Sequence, residues 1–160
     1  MNELGMRIAH SKRRGEWAEL RFMERAAEQG LCVSKPWGET SQYDFVVETA
    51  GKLFRIQVKS TWSMNHGAYV VCVRNSKGAY PAGAFDFVAA YLIPVDTWYI
   101  LPEKRILSQG TVLLYPESKR SKYKAYREAW KLLTGGETAD EAGPIPMTGS
   151  HPLQTEKPLI

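Results

Sequence analysis

The sequence predicts an α/β (α+β) domain in which helices flank a mixed sheet of about five or six strands. Three observations carry this. One amphipathic stretch of helical period stands near the start of the chain. Short apolar runs with the alternation of strands recur after it. The length, 160 residues, suffices for one domain with one buried core.

The helical stretch is "RRGEWAELRFMERAAEQG". At about 100° per residue, Leu20, Phe22, Met23, Ala26 and Ala27 share one arc, and Arg21, Glu24, Arg25, Glu28 and Gln29 the other. Gly30 is a stop signal. Glu19 falls inside the apolar arc, between Met23 and Ala26, where a carboxylate needs a partner or a task. Glu16, near the rim, reads as a helix-start carboxylate facing the macrodipole.

"LCVSKPW" follows as a short strand, and "GETSQ" as a loop. The run "YDFVVETAGKLFRIQVKST" is a hairpin closed by "TAGK" and placed near the centre of the sheet. "AYVVCVR" is a further strand, and the Gly/Pro-rich "NSKGAYPAGA" a loop. "FDFVAAYLI" reads as a fully buried strand, 94–96 as a turn, "TWYIL" as a strand, and "TVLLY" as an edge strand stopped by Pro116. "KRSKYKAYREAWKLL" is predicted as a final helix whose stripe of Tyr123, Tyr126, Trp130 and Leu133 faces the core. From Gly135 the composition turns to Gly, Pro and Thr without aromatics. The expected organisation is a domain over 1–134 and a flexible tail over 135–160.

The net charge of +4 is uneven. The tail holds one lysine and four acidic residues, −3, which leaves 20 Lys/Arg against 13 Asp/Glu, +7, in residues 1–134. A basic body suits a polyanion such as nucleic acid and equally a merely well-solvated surface. Lys12, Arg13, Arg14, Lys35, Lys77 and the basic start of the last predicted helix are the candidate phosphate contacts. The longest apolar run, "FVAAYLIPV", is too short to span a bilayer, so no membrane partner is expected. The N-terminus lacks the apolar segment of a signal peptide, which makes the cytoplasm the default compartment. Cys32 and Cys72 fall in separate strand-like runs and read as reduced core thiols. Neither they nor His10, His66 and His151 have the spacing of a zinc site.

Three polar groups interrupt the hairpin: Asp44, Gln57 and Lys59. With the turn centred on Ala50–Gly51, Glu48 faces Leu53, Val46 faces Arg55 and Asp44 faces Gln57. Directly opposed residues project from the same face, so Asp44, Gln57 and Lys59 converge. A carboxylate beside an amide oxygen can hold a hard cation such as Mg²⁺, and a nearby lysine can orient water and offset charge on a phosphate. A buried Asp–Lys pair with glutamine hydrogen bonds accounts for the same pattern.

The order of Glu19 on a helix, Asp44 on a strand and Gln57-Val58-Lys59 on the next strand resembles the PD-(D/E)XK nuclease superfamily. The stretch "GEWAELRFMERAAEQGLCVSKPWGETSQYDFVV…GKLFRIQVKST" is most similar to the group I intron-associated endonucleases, and more distantly to archaeal Holliday junction resolvases. The likeness is strong over 15–61 and continues faintly to the Tyr/Trp-rich end of the domain. It implies a restriction-endonuclease-like fold and a metal-dependent DNA endonuclease that hydrolyses phosphodiester bonds. Asp44, Gln57, Glu19 and the Val58 backbone carbonyl would form the metal set, with Mg²⁺ as the ion and Mn²⁺ as an alternative. Lys59 would be the catalytic lysine that assists the attacking water. Tyr43 stands where the family has proline, which carries no chemistry. Gln57 stands where the family usually has an acid, leaving the site one negative charge short. A catalytically weakened fold acting as a nucleic-acid-binding module therefore remains the alternative, and a small α/β protein with an unrelated ligand is a third reading. Cutting two strands needs two sites or two visits, which leaves a homodimer open.

Overall fold

The computed structural model describes residues 5–135 and 145–146. A 3-10 turn at Gly5–Arg7 leads into α1 (Ser11–Glu28), β1 (Cys32–Ser34), β2 (Phe45–Thr49) and β3 (Lys52–Thr61). Next come β4 (Met64–Asn65), β5 (Ala68–Cys72), β6 (Arg74–Asn75), β7 (Gly78–Ala79) and β8 (Phe87–Leu92). A 3-10 turn at Ile93–Val95 joins β8 to β9 (Thr97–Pro102), followed by α2 (Glu103–Ile106) and β10 (Thr111–Leu114). Two 3-10 turns, Lys124–Tyr126 and Trp130–Leu133, and the short β11 (Ile145–Pro146) complete the order.

The main sheet runs β1-β2-β3-β8-β9, with β11 added to the start of β3. Among the described residues only the β3–β8 pair of this sheet is parallel; the other pairs are antiparallel. The sheet is therefore mixed, and the hairpin lies at its centre. A second, smaller sheet has the order β10-β5-β4.

Alternation along β8 and β9 sorts the core into two layers. Phe87, Ala89, Tyr91, Trp98 and Ile100 join Ala18, Phe22 and Ala26 of α1. Val88, Ala90, Leu92, Tyr99 and Leu101 join Val71, Val112 and Leu114 of the smaller sheet. This is why "FDFVAAYLI" reads as a continuous apolar run: each side chain of β8 is buried on one face or the other. Asp86 at its start is held by Arg55, whose main-chain N and guanidinium donate to its carboxylate at 2.7–3.2 Å.

The helix α1 forms where expected, but its buried stripe is Ala18, Phe22 and Ala26. Leu20 and Met23 are exposed, so Glu19 sits at the rim of the packed face and not inside it. Phe22 fixes the helix to the hairpin by stacking on Phe45, ring centroids 5.3 Å apart, and meets Trp98 and Trp130 on its other sides.

The predicted final helix is replaced by two 3-10 turns. Glu128 between them has a positive φ of 47°, which no helix accommodates. Its main-chain N donates to Trp98 O at 2.8 Å, and its carboxylate accepts from Trp98 N and from Trp130 Nε1, both at 2.7 Å. The segment thus saturates the outer edge of β9, helped by a bridge between Tyr99 and Arg127. The apolar stripe is divided accordingly: Tyr123 enters the layer under the smaller sheet, and Trp130 and Leu133 enter the α1 layer.

Cys32 and Cys72 are free thiols, as expected, but both are exposed. Val33 and Val71 take the inward positions, and alternation turns each cysteine outward. Apart from Gly135 and the pair 145–146, the expected tail lies outside the described residues. Among the described residues, no helix is long and apolar enough to cross a membrane.

Candidate active site

The hairpin has the register read from its turn: Phe45 pairs with Ile56, Val46 with Arg55 and Thr49 with Lys52. One step further, the Asp44 main-chain N donates to Ile56 O at 2.8 Å. There the ladder gives way to a side chain. Asp44 Oδ2 accepts from the Val58 main-chain N at 2.7 Å and from Gln57 Nε2 at 2.6 Å. Gln57 Nε2 also donates to the Val58 carbonyl at 3.3 Å. Gln57 is one of the few buried polar residues, 8% exposed, so these contacts satisfy an amide that has little water to turn to.

Burial raises the Asp44 carboxyl from 3.8 to about 6. The Val58 N–H opposes that rise, the nearby Glu19 charge adds to it, and Lys59 and Lys35 oppose it. The site therefore contains two acidic groups and two lysines that act on one another. The carboxylate is ionised at neutral pH and costs free energy to keep dry.

Lys59 leaves β3 on the face of Gln57, as alternation requires. Its Nζ donates to Tyr80 Oη at 2.9 Å and lies 3.4 Å from Arg74 O. Tyr80 is carried by the loop after β7 and braced edge-on against Phe85, centroids 5.1 Å apart. The lysine is thus pinned beside the Asp44–Gln57 pair and not bonded to it.

Glu19 approaches from α1. Its Oε2 accepts from Lys35 Nζ at 2.6 Å, and that bond raises the Lys35 ammonium above its ordinary value. Lys35 stands 5.7 Å from the centre of the Phe45 ring, next to Asp44 in the chain. A cleft of about 190 Å³ beside them is lined by Glu16, Glu19, Leu20, Met23, Lys35 and Phe45. Glu16 is exposed at its mouth.

The expected phosphate contacts divide. Lys12, Arg13 and Lys77 are exposed. Arg14 is occupied: its Nη1 donates to Ile8 O at 3.0 Å, and its guanidinium lies 4.0 Å over the Trp62 ring. Lys35 belongs to the site itself.

The hard oxygen donors at hand are the Asp44 carboxylate and the Val58 carbonyl, both within reach of Gln57 Nε2, and the Glu19 carboxylate, whose charge acts on Asp44. The donor set suits a hard divalent cation. Among the described residues, no group of three or more His, Cys, Asp or Glu converges to hold a metal, so the set leans on oxygens of the main chain and of an amide. Gln57 presents Nε2 to Asp44, and it becomes a ligand only by turning its amide so that Oε1 takes that place.

Two participants escape a reading by periodicity. Tyr80 sits in a Gly/Pro-rich loop with no strand or helix phase to orient it. The partnership of Lys35 with Glu19 joins residues from two elements whose packing is set by Phe22 and Phe45.

A profile of the PD-(D/E)XK endonuclease family matches residues 9–133. Among solved structures, a bacterial homing endonuclease, I-Ssp6803I, is similar: 34% identity, a TM-score of 0.67, and coverage of 78% of this chain and 91% of that one. No curated protein matches the chain.

Proposed function

The chain belongs to the PD-(D/E)XK endonuclease family, and on that footing we propose that it hydrolyses phosphodiester bonds in DNA with the help of Mg²⁺ at Asp44, Gln57 and the Val58 carbonyl. The observation that carries this is the convergence of Gln57 Nε2 and the Val58 N–H on Asp44 Oδ2, with Lys59 on the same face of β3. Burial that raises the Asp44 carboxyl to about 6 supports the same reading. A bound divalent cation would supply Lewis-acid activation of water and neutralise charge gathering on the phosphate.

The protein's own groups do the rest. Asp44 and the Val58 carbonyl offer oxygens on one side of the hairpin, and Glu19 offers another from α1. Lys59 places an ammonium near the reacting phosphate, where it donates to a non-bridging oxygen or to the incoming water. Tyr80 Oη holds that ammonium in place. Exposed Lys12, Arg13 and Lys77 would hold the DNA through its phosphates without reading bases.

Titration of Mg²⁺ and Mn²⁺ against supercoiled plasmid tests the proposal. Nicked or linear product from the native protein, and far less from Lys59→Met, supports it. Altered mobility without any cut at millimolar metal would instead favour a nucleic-acid-binding module on a nuclease fold.

A further inference from the structure

We propose that Lys35 is the resident counter-cation of Glu19: it holds that carboxylate until a divalent cation takes it over, and then turns to the DNA phosphate. This rests on the reading of the site given above and adds a second, movable lysine to it.

Lys35, on the loop after β1, and Lys59, on β3, both oppose the rise in the pKa of Asp44. They are held in different ways. Lys59 is fixed by Tyr80 Oη within the described fold. Lys35 is held by one ion pair to Glu19 at 2.6 Å, and its side chain is 63% exposed against 23% for Glu19. A pair of that exposure opens at little cost, because water replaces what the ammonium loses. The long stem can swing while the carboxylate, carried on α1 and less exposed, stays.

Charge points the same way. Asp44, Glu19 and Glu16 carry three negative charges, Lys35 and Lys59 two positive, and Gln57 none. At rest the cluster nets only one negative charge, which leaves a dication little attraction. Withdrawing Lys35 from Glu19 restores a negative charge on the wall of the cleft that Glu16, Glu19, Lys35 and Phe45 help line. The released ammonium then has a new anion within reach, the phosphate that DNA brings. Metal and DNA should accordingly strengthen each other's binding, with Lys35 as the group exchanged between them.

Mn²⁺ binding to the full chain, read as loss of the free-ion paramagnetic resonance signal, tests the first half without any cleavage. Lys35→Met should bind Mn²⁺ about two- to fivefold more tightly than the native protein, the range of an ion pair so exposed. Lys131→Met removes the same charge from an exposed position on the last 3-10 turn and should change the affinity less. Lys35→Arg keeps the pair and should resemble the native protein. Unchanged or weaker binding in Lys35→Met, alongside native binding that Asp44→Asn abolishes, overturns the role of Lys35 and leaves the site reading standing. Native binding indifferent to Asp44→Asn overturns the site reading itself. The second half is read from duplex DNA affinity with Ca²⁺ and with chelator. The loss caused by Lys35→Met should be larger with Ca²⁺, and equal losses would show that Lys35 is not handed over.

Discussion

Across the hairpin, Gln57 Nε2 lies 2.6 Å from Asp44 Oδ2, and that hydrogen bond is one a glutamate could not donate. The amide that replaces the family's usual acid therefore satisfies the metal-free site by itself. A second carboxylate at position 57 would instead meet Asp44 as a like charge.

Gln57→Glu should consequently unfold more easily in chelator, by about 1–3 kcal/mol at neutral pH. Added Mg²⁺ should recover more stability in this variant than in the native protein, and half-maximal cleavage should need less metal. Thermal unfolding with and without Mg²⁺ measures both. Equal response of the two proteins to Mg²⁺ would show that residue 57 does not face the ion.

Proton linkage at Asp44 gives a pH signature. Its folded pKa of about 6 lies above the ordinary 3.8, so the folded protein binds the proton more tightly. Stability contributed by this group is then present in full below about pH 4 and falls as pH rises through 6. Asp44→Asn should remove that fall, ending about 1–3 kcal/mol more stable relative to the native protein at pH 7.5 than at pH 4. Urea unfolding at the two pH values checks the sign. Metal binding runs the other way: the proton competes below pH 6, so the metal needed for half-maximal cleavage should rise as pH is lowered.

Lys59 and Tyr80 should separate by magnitude. Lys59→Met should lower single-turnover cleavage on the order of 10²–10³-fold with little change in DNA affinity. Tyr80→Phe removes only the hydroxyl that steadies Lys59, and a loss of about fivefold, the worth of one hydrogen bond, is expected. A Tyr80→Phe defect as deep as that of Lys59→Met would assign the hydroxyl a direct part in the chemistry.

Glu128 should matter for folding and not for cleavage. Glu128→Ala leaves the Trp98 main-chain N–H and the Trp130 indole N–H without their acceptor. Both tryptophans are buried, and a loss of about 2–4 kcal/mol in urea unfolding is expected. Cleavage per folded molecule should hold.

The turn offers a gain. Ala50 and Gly51 both have positive φ, 45° and 75°, the conformation that a two-residue hairpin of this twist demands. Alanine resists it. Ala50→Asn should raise stability by about 1 kcal/mol, and an unchanged melting temperature would place the strain elsewhere.

Much of this was legible in the chain. The Ala50–Gly51 turn fixes the register as far as Phe45–Ile56, and the next residues, Asp44 and Gln57, then meet through their side chains. The two-faced burial of β8 shows in its unbroken apolar run. Other features depend on contacts that no local period records. Leu20 and Met23 satisfy the helical arc of α1 but the sheet meets it along Ala18, Phe22 and Ala26. Residues 119–133 have a helical pattern, yet the open edge of β9 outcompetes it by taking the backbone and carboxylate of Glu128. Lys35 reads as a surface charge until Phe22 and Phe45 bring α1 against the hairpin.

The parallel pair in the sheet, β3 with β8, has a kinetic consequence. The hairpin β2–β3 closes over a two-residue turn and can form from local chain alone, bringing Asp44 and Gln57 together at once. Pairing of Lys59 with Ala90 and of Ser60 with Tyr91 must wait until the whole of 62–86 has looped over. Closing that loop costs chain entropy before any contact repays it, so β3–β8 should dock late. Tyr80 travels on the same loop. A molecule that opens briefly at this seam would keep its Asp44–Gln57 pair and lose the anchor of Lys59, and amide hydrogen exchange should find β2–β3 protected in states where β8 is already free.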